Sequence, residues 1–284
     1  MGFLANTVIP LDDWIESLVN WLVLHWRSFF QGIKWPVDQL LNGITNVLQW
    51  PYELVVLGIF VLIAWRLAGW KVAAFTLVAL GLLGGWNPIL PSLDLWDLTM
   101  TTLAMIVTAV IICVILGVPV GIIAARSDRF ESILRPILDT AQTTPVFVYL
   151  IPVAMLIGIG TVAGVIATIV FSIAPIIRLT NLGIREVDQE VIEAAYAFGS
   201  TPRQVLFEVQ IPLALRTIMA GLNQTLMLAL SMVVIASMIG AGGLGAPVRQ
   251  GLNNLQPGIG FVGGIGVVLL AIVLDRISQS FGKR

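Results

Sequence analysis

The sequence predicts an all-α protein that crosses a membrane several times; composition and the length of its apolar runs both point to this class. Hydrophobic residues make up 58% of the 284 residues and charged residues only 11%, and the mean hydropathy is +0.97. Soluble domains carry about a quarter charged residues. The apolar runs have the length, about 20 residues, that a helix needs to cross a hydrocarbon core. No basic domain or basic stripe interrupts them, so the sequence gives no support to nucleic-acid binding.

The N-terminal segment, residues 1–50, differs from the rest of the chain. Its residues 11–50 mix tryptophans and leucines with too many charges for a spanning helix. These charged or titratable residues are Asp12, Asp13, Glu16, His25, Arg27, Lys34 and Asp38. We therefore expect one or two amphipathic helices that lie at the membrane interface, on the extracytoplasmic side.

Seven apolar runs follow and are predicted to be spans. They cover residues 52–69, 71–86, 98–125, 144–160, 161–178, 216–240 and 259–279. The second run is shortened by Gly81, Gly84 and Gly85, so it is either a span or a re-entrant segment. The lone cysteine, Cys113, lies inside the third run and is expected to be a small core residue.

The positions of lysine and arginine predict the orientation. With seven spans, twelve basic residues fall on one side: Arg66, Lys71, Arg126, Arg129, Arg135, Arg178, Arg185, Arg203, Arg216, Arg276, Lys283 and Arg284. Only Arg27, Lys34 and Arg249 fall on the other side, and residues 87–97 contain no basic residue. By the positive-inside rule, we expect the C-terminus to be cytoplasmic and the N-terminal segment to lie outside.

Residues 185–212, here called the charged segment, form an island of charge between apolar runs on the predicted cytoplasmic side. Val187, Val191, Ala194 or Ala195 and Phe198 recur at helical spacing, which predicts a short amphipathic helix. Gly199 is expected to end this helix, because a helix C-terminus favours a left-handed residue. Thr201-Pro202-Arg203-Gln204 predicts an N-cap, a first-turn proline and a capping box that begin a second short helix, and Pro212 is expected to close it. Such a knob either docks a partner protein or packs on its own membrane domain.

Neutral polar residues interrupt two of the apolar runs. Gln142, Thr143, Thr144 and Tyr149 cluster near the start of one run, and Asn223, Gln224, Thr225 and Ser231 interrupt another. Polar groups in hydrocarbon must pair or face water. They therefore either line a translocation path or join helices to one another, an interaction worth about 0.6 kcal/mol each.

Three spacings of small residues offer surfaces for close helix packing: Gly117 to Gly121, Gly160 to Gly164 and Gly260 to Gly264. Such surfaces serve either internal packing or association with a second copy of the chain.

The charged segment resembles the EAA signature of ABC-importer permeases. The resemblance rests on Glu193-Ala194-Ala195, on Gly199 and on the ending Val209-Gln210-Ile211-Pro212, in which Val209 and Ile211 replace the commoner isoleucine and leucine. It extends to residues 139–152, 223–240 and 242–245, which are similar to the permease subunits of glycine betaine/proline betaine importers. The resemblance covers residues 95–280.

This resemblance implies the type I ABC-importer permease fold, with about seven spans and a five-helix core. Residues 51–95 are then accessory transmembrane helices, and residues 96–281 are the core that contains the charged segment. The resemblance also implies a bacterial inner-membrane location, a second permease copy, a pair of cytoplasmic ATPase subunits and an extracytoplasmic substrate-binding protein. ATP is hydrolysed by the partner, since the sequence lacks the Gly-x-x-x-x-Gly-Lys-[Ser/Thr] phosphate loop.

The residues implied to couple this chain to the ATPase are Glu193, Ala194, Ala195, Gly199 and Pro212. The alternative for Glu193 is a solvated helix face, and the alternative for Gly199 is a helix stop alone. The implied cargo is glycine betaine, proline betaine or a related quaternary amine such as choline or carnitine. The sequence offers no aromatic cage for a quaternary ammonium, so we expect the binding protein to recognise the solute.

Two other classes of function are alternatives to an ABC-importer permease. An ion-coupled secondary transporter of a small zwitterion usually keeps ionisable residues at mid-membrane, whereas Glu53, Asp97, Asp139 and Asp275 lie near the ends of predicted spans. An intramembrane metalloenzyme lacks support because the sequence contains no His-Glu-x-x-His motif and only one histidine, His25.

Overall fold

The computed structural model describes residues 11–84 and 95–281, and within these ranges every regular element is a helix. The elements in chain order are α1 (Leu11–Gln49), α2 (Glu53–Ala68), α3 (Trp70–Leu83), α4 (Trp96–Arg126), α5 (Asp128–Thr143), α6 (Val146–Ile157), α7 (Thr161–Arg185), α8 (Gln189–Ala197), α9 (Pro202–Gln204), a π-helical turn (Val205–Gln210), α10 (Ile211–Ala236), a 3₁₀ turn (Ser237–Ile239), α11 (Gly245–Asn253) and α12 (Pro257–Phe281). Gly85, Lys283, Arg284 and most of the predicted loop 87–97 lie outside the described ranges.

The amphipathic N-terminal segment forms one helix, α1, of 39 residues. Its second half packs on the rest of the protein, since Val37 and Leu41 are buried and Lys34 donates a hydrogen bond of 3.3 Å to the carbonyl oxygen of Ile157 at the end of α6. A cation at a helix C-terminus is favourable because the last carbonyls lack helical partners. α1 is thereby packed against α4, α6 and α7.

Each of the seven predicted spans coincides with an apolar helix. Within the described residues, four helical stretches are long and apolar enough to cross a membrane alone: Trp96–Arg126, Thr161–Arg185, Pro202–Ile239 and Pro257–Ser280. The other three helices are shorter, with 16 residues in α2, 14 in α3 and 12 in α6. Counting the bent pairs α1–α2 and α5–α6 as one span each raises the number to six.

The centre of the bundle is α7, which packs most extensively on α10 and α4. Glycines permit this close approach. A Cβ on Gly121 of α4 would lie 2.6 Å from Thr180 Cβ and 2.7 Å from the Ile177 carbonyl oxygen of α7. Closer to the end of α7, a Cβ on Gly183 would lie 2.9 Å from Thr217 Cβ of α10. Cys113 is fully buried in this core, as expected.

The small-residue spacings serve mainly internal packing. Besides Gly121, Gly164 faces Ala236 and Ala241, and Gly260 lies against Gly251. Gly160 and Gly264 have no neighbouring atom within 4 Å of an added Cβ. These contacts favour the internal-packing interpretation of the three spacings over a dimer surface.

Candidate functional site

The charged segment folds as the predicted knob of a helix, a glycine turn and a second helix start. Asp188 caps α8 by accepting a hydrogen bond from the Glu190 amide at 2.9 Å. At the other end, Gly199 adopts φ +86°, and the Ser200 amide reaches back to the Ala195 carbonyl oxygen at 3.1 Å. This is a Schellman ending, which requires a left-handed residue at the position of the glycine.

The second helix begins with the predicted capping box. The Thr201 hydroxyl oxygen accepts from the Gln204 amide at 3.4 Å, and the Thr201 amide donates to Gln204 Oε1 at 2.9 Å. Pro202 occupies the first turn. The side chains of this short stretch therefore determine where the helix starts, as the sequence indicates.

The prediction that Pro212 closes this second helix is wrong. Helical structure continues from Pro202 to Ile239, and Pro212 lies at the start of α10, directly after the π-helical turn. In that turn the Ile211 amide donates to the Leu206 carbonyl five residues earlier. A wider π turn relieves the proline ring of the clash that an α-helix imposes. Pro212 thus marks the change from π to α geometry and does not end the helix.

The predicted apolar stripe of α8 is divided between the two sides of the helix. Val187 is buried, with 7% exposure, and Ala195 is half-buried, whereas Val191 is exposed and Phe198 is 92% exposed. Among the described residues, the main packing partner of α8 is the π-helical turn, and this short turn covers only one side of the helix.

Large apolar side chains therefore remain uncovered on the knob: Val191, Tyr196, Phe198 and Phe207. Glu193 and Ala194 lie exposed among them, as does Gly199. The arrangement gives an apolar surface with acidic side chains, which is suited to contact with another macromolecule.

Arg185, the last residue of α7, lies at the centre of a polar cluster beside this knob. Its Nε donates to Asn181 Oδ1 at 2.9 Å and its Nη1 to Asp128 Oδ1 at 2.7 Å. Its Nη2 donates to the Ala124 carbonyl oxygen at 2.9 Å and lies 3.3 Å from Glu131 Oε2. One planar guanidinium thus joins the end of α7 to α4 and α5.

Two further arginines make contacts between elements nearby. Arg126, at the end of α4, donates from Nη2 to the Pro202 carbonyl oxygen at 3.1 Å. Arg178, two turns before Arg185 on α7, pairs with Asp139 of α5 at 2.6 Å. In the sequence, these arginines indicate only the orientation of the chain in the membrane. The available signal was the acidic residues Asp128, Glu131 and Asp139 on the adjoining segment, but pairing between them is a tertiary property.

The first group of polar path candidates lies at the break between α5 and α6, whose axes meet at 96°. Gln142 and Thr143 are exposed at the end of α5. Thr144 and Tyr149 line a groove of about 510 Å³ between α5, α6 and α7. The Tyr149 hydroxyl is buried without a hydrogen-bond partner, and its ring stacks on Phe171 with centroids 6.4 Å apart.

The second group lies along α10 and does not line that groove. Asn223 Oδ1 accepts a hydrogen bond from the Ser278 hydroxyl of α12, which favours the interhelical interpretation for this residue. Thr225 is buried, Gln224 is exposed, and the Ser231 hydroxyl bonds back to the Met227 carbonyl oxygen at 3.2 Å. The structure thus separates the eight candidates into a groove-lining pair, a helix-joining residue and several others with local or no contacts.

Comparison with known proteins assigns the family. The family model described as "Binding-protein-dependent transport system inner membrane component" matches residues 117–284. The glycine betaine/proline betaine transport system permease protein ProW of Escherichia coli (strain K12) is 51% identical over 278 residues, which cover 98% of this chain and 77% of that protein. The glycine betaine/carnitine transport permease protein GbuB of Listeria monocytogenes serotype 1/2a (strain 10403S) is 45% identical over 282 residues, covering 97% of this chain and 96% of that protein.

A solved structure agrees with the fold. The chain superposes on a chain from a structure of the MetNI methionine ABC transporter in an inward-facing conformation, with a TM-score of 0.58 and 24% sequence identity. The superposition covers 70% of this chain and 96% of the MetNI chain. The predicted type I ABC-importer permease fold and the resemblance to betaine permeases are therefore confirmed. The chain belongs to the family of binding-protein-dependent transport system inner membrane components and is a multi-pass permease subunit of an ABC transporter.

Proposed function

We propose that this chain carries glycine betaine, proline betaine or a related quaternary amine such as choline or carnitine into the cell, in a complex driven by a separate ATPase. The observation that carries the proposal is similarity along nearly the whole chain to proteins named as glycine betaine permeases. A low-charge membrane domain is compatible with a zwitterionic cargo, which brings its own balanced charges.

The proposed docking site for the ATPase is the exposed part of the charged segment. Phe198, Val191 and Tyr196 present apolar surface that residues 11–84 and 95–281 leave exposed, and aromatic anchors dominate the binding energy of protein interfaces. Glu193, Ala194 and Ala195 are proposed to contact the ATPase beside them. Gly199 sets the turn, and Pro212 lies where the segment enters α10.

The proposed assembly contains two permease copies, two ATPase subunits and an extracytoplasmic binding protein. ATP is bound and hydrolysed by the ATPase, since no phosphate-loop sequence occurs in this chain. The proposed orientation places the charged segment and C-terminus in the cytoplasm and residues 1–50 outside. Residues 51–95 form accessory helices, and residues 96–281 form the transport core.

The proposed path uses the polar residues that line the groove or lie exposed. Thr144 and Tyr149 in the groove beside α7 and the exposed Gln142, Thr143 and Gln224 are the better candidates. Asn223 accepts a hydrogen bond from Ser278 of α12 and Thr225 is buried, which supports a packing role for these two. Ser231 is exposed, and its bond to a carbonyl oxygen one turn earlier is of the kind that Thr143 and Thr144 also make, so Ser231 remains a candidate for the path.

The test is transport by the purified complex in proteoliposomes. We expect glycine betaine, in the presence of its binding protein, to stimulate ATP hydrolysis and to accumulate inside, and we expect omission of the binding protein to abolish high-affinity uptake. The same measurements with choline, carnitine and proline betaine rank these solutes as cargoes. Uptake that persists without ATP and collapses when the ion gradient is dissipated would instead establish an ion-coupled carrier.

Copurification of two differently tagged permease copies tests the homodimer.

A further inference from the structure

Arg185 lies at the junction between the membrane bundle and the charged segment. Its side chain contacts residues that lie outside that segment. It is the last residue of α7, so its backbone leads directly into the knob. Its guanidinium contacts the end of α4 through the Ala124 carbonyl oxygen and the start of α5 through Asp128 and Glu131. The direction in which the chain leaves α7 is therefore tied to the position of α5.

These contacts depend on the planar shape of the arginine side chain as well as on its charge. Exposed ion pairs contribute little to stability on their own, and Asp128 is largely exposed. Three nitrogens of one rigid plane, however, reach four acceptors, which fixes the orientation of α7 relative to α5. A lysine ammonium is a point charge on a flexible stem and cannot hold this geometry.

A second contact joins the same corner to the far side of the knob. Arg126 of α4 donates to the Pro202 carbonyl oxygen, at the first residue after the turn containing Gly199. The charged segment is thus fastened to the α4–α5 corner both before α8, through Arg185, and after it, through Arg126.

Helix α5 is fastened to α7 at both ends. Arg185 contacts its first turn, and the pair Arg178–Asp139 joins its last turn to α7. Beyond α5 the chain breaks at Thr144–Pro145 and continues as α6 at 96°. A displacement of α5 must therefore be absorbed at this break or passed on to α6, which carries Tyr149.

We propose that Arg185 is a positioning residue that makes the charged segment and α5 one mechanical unit, so that displacement of the segment by its partner moves α5 and, through the Thr144–Pro145 break, α6. This inference rests on the proposed function, because it assumes that an ATPase displaces the segment. It adds a connection from the docking surface to the groove that holds Tyr149.

The first test compares ATP hydrolysis with glycine betaine uptake in the reconstituted complex. We expect Arg185→Gln to keep basal ATP hydrolysis but to lower the solute transported per ATP by about 10-fold, within the usual range of coupling between sites. Arg185→Lys should be nearly as impaired. Arg129→Gln is the matched control, since Arg129 lies exposed on α5, and it should behave as wild type. An unchanged ratio in Arg185→Gln would overturn the proposal.

The second test measures distance and does not depend on transport. Spin labels are placed at Ser132 of α5 and Gln189 of α8, both exposed, through Ser132→Cys and Gln189→Cys in a Cys113→Ala background. In the complex with wild-type Arg185, the distance distribution should stay the same with and without ATP, and Arg185→Gln should broaden it. A distance that changes with ATP in the presence of Arg185 means that the two elements move separately, which refutes the inference. If the unsubstituted complex shows no ATP-driven uptake, the proposed function itself fails.

Discussion

The amide of Ser200 donates a hydrogen bond to the carbonyl oxygen of Ala195 at 3.1 Å, and this bond closes the turn in which Gly199 adopts φ +86°. Non-glycine residues pay about 1–2 kcal/mol in this conformation, with asparagine and aspartate the best tolerated. The bond therefore links Ala195 of the EAA signature to the residue directly after the glycine. It gives Gly199 a conformational role within the chain, beside any contact with a partner.

Substitution of Gly199 separates these two roles. We expect Gly199→Asp to insert into the membrane normally, because an added Cβ at this position meets nothing within 4 Å, but to lose solute-stimulated ATP hydrolysis. The reason is an extra carboxylate on a surface that already exposes Glu190 and Glu193. Gly199→Asn, which tolerates the same φ without the charge, should retain most of the stimulation. If solute stimulates ATP hydrolysis equally in both variants and in wild type, Gly199 is not part of the coupling surface.

Removal of the most exposed aromatic on the knob tests docking directly. Phe198→Ala should leave the thermal stability of the isolated permease unchanged, since the side chain is 92% exposed. It should weaken binding of the ATPase by about 2 kcal/mol, the loss typical of an aromatic anchor, measured by titration in detergent. Phe261→Ala, an exposed phenylalanine on α12, is the control. Unaltered ATPase affinity in Phe198→Ala would contradict the proposed docking surface.

The close approach of α4 and α7 at Gly121 predicts a stability effect. Gly121→Ala should lower the free energy of unfolding by about 1–3 kcal/mol, the cost of overpacking, because the new Cβ would lie 2.7 Å from a backbone carbonyl oxygen that cannot rotate away. Thermal unfolding in detergent measures it. Gly264→Ala, in open space on α12, should be neutral or slightly stabilising, as expected for glycine to alanine in a helix. Similar unfolding of the two variants would show that α4 and α7 are less closely packed than described.

The bond between Asn223 and Ser278 tests whether a polar residue of α10 joins helices or lines the path. Ser278→Ala should reduce stability by about 0.6 kcal/mol and leave the relative rates for glycine betaine, choline and carnitine unchanged. Gln224→Leu, at the neighbouring exposed position, is the comparison and should alter uptake if that face meets the solute. A change of solute preference in Ser278→Ala would assign the Asn223–Ser278 pair to the path.

Local signals in the sequence were sufficient for much of the knob. Thr201 caps a helix through its own side chain, and Gly199 ends one through its backbone freedom, so these features depend on residues within a few positions of each other. The apolar stripe was only partly predicted. Periodicity shows which residues share a face, but whether Val187 or Phe198 is covered depends on the π-helical turn that lies against α8.

Other features required the tertiary structure because their partners are distant in sequence. Arg185 meets Asp128 across 57 positions and Arg126 meets Pro202 across 76. The helix likewise continues through Pro212 because the hydrogen-bond spacing changes locally to that of a π-helix, which the residue types do not predict. The same applies to the small-residue spacings, whose internal use became evident only once α4, α7 and α10 were packed together.

The sequence by itself determined the membrane class, the positions of the apolar helices and the knob with its caps, since hydrophobicity, helix length and capping are properties of short stretches of chain. Only the tertiary structure decided which glycines face neighbouring helices, which apolar side chains of the knob remain exposed, and that Arg185 joins α7 to α4 and α5. These outcomes depend on pairing between distant segments, where many partners satisfy the same local pattern and packing selects one.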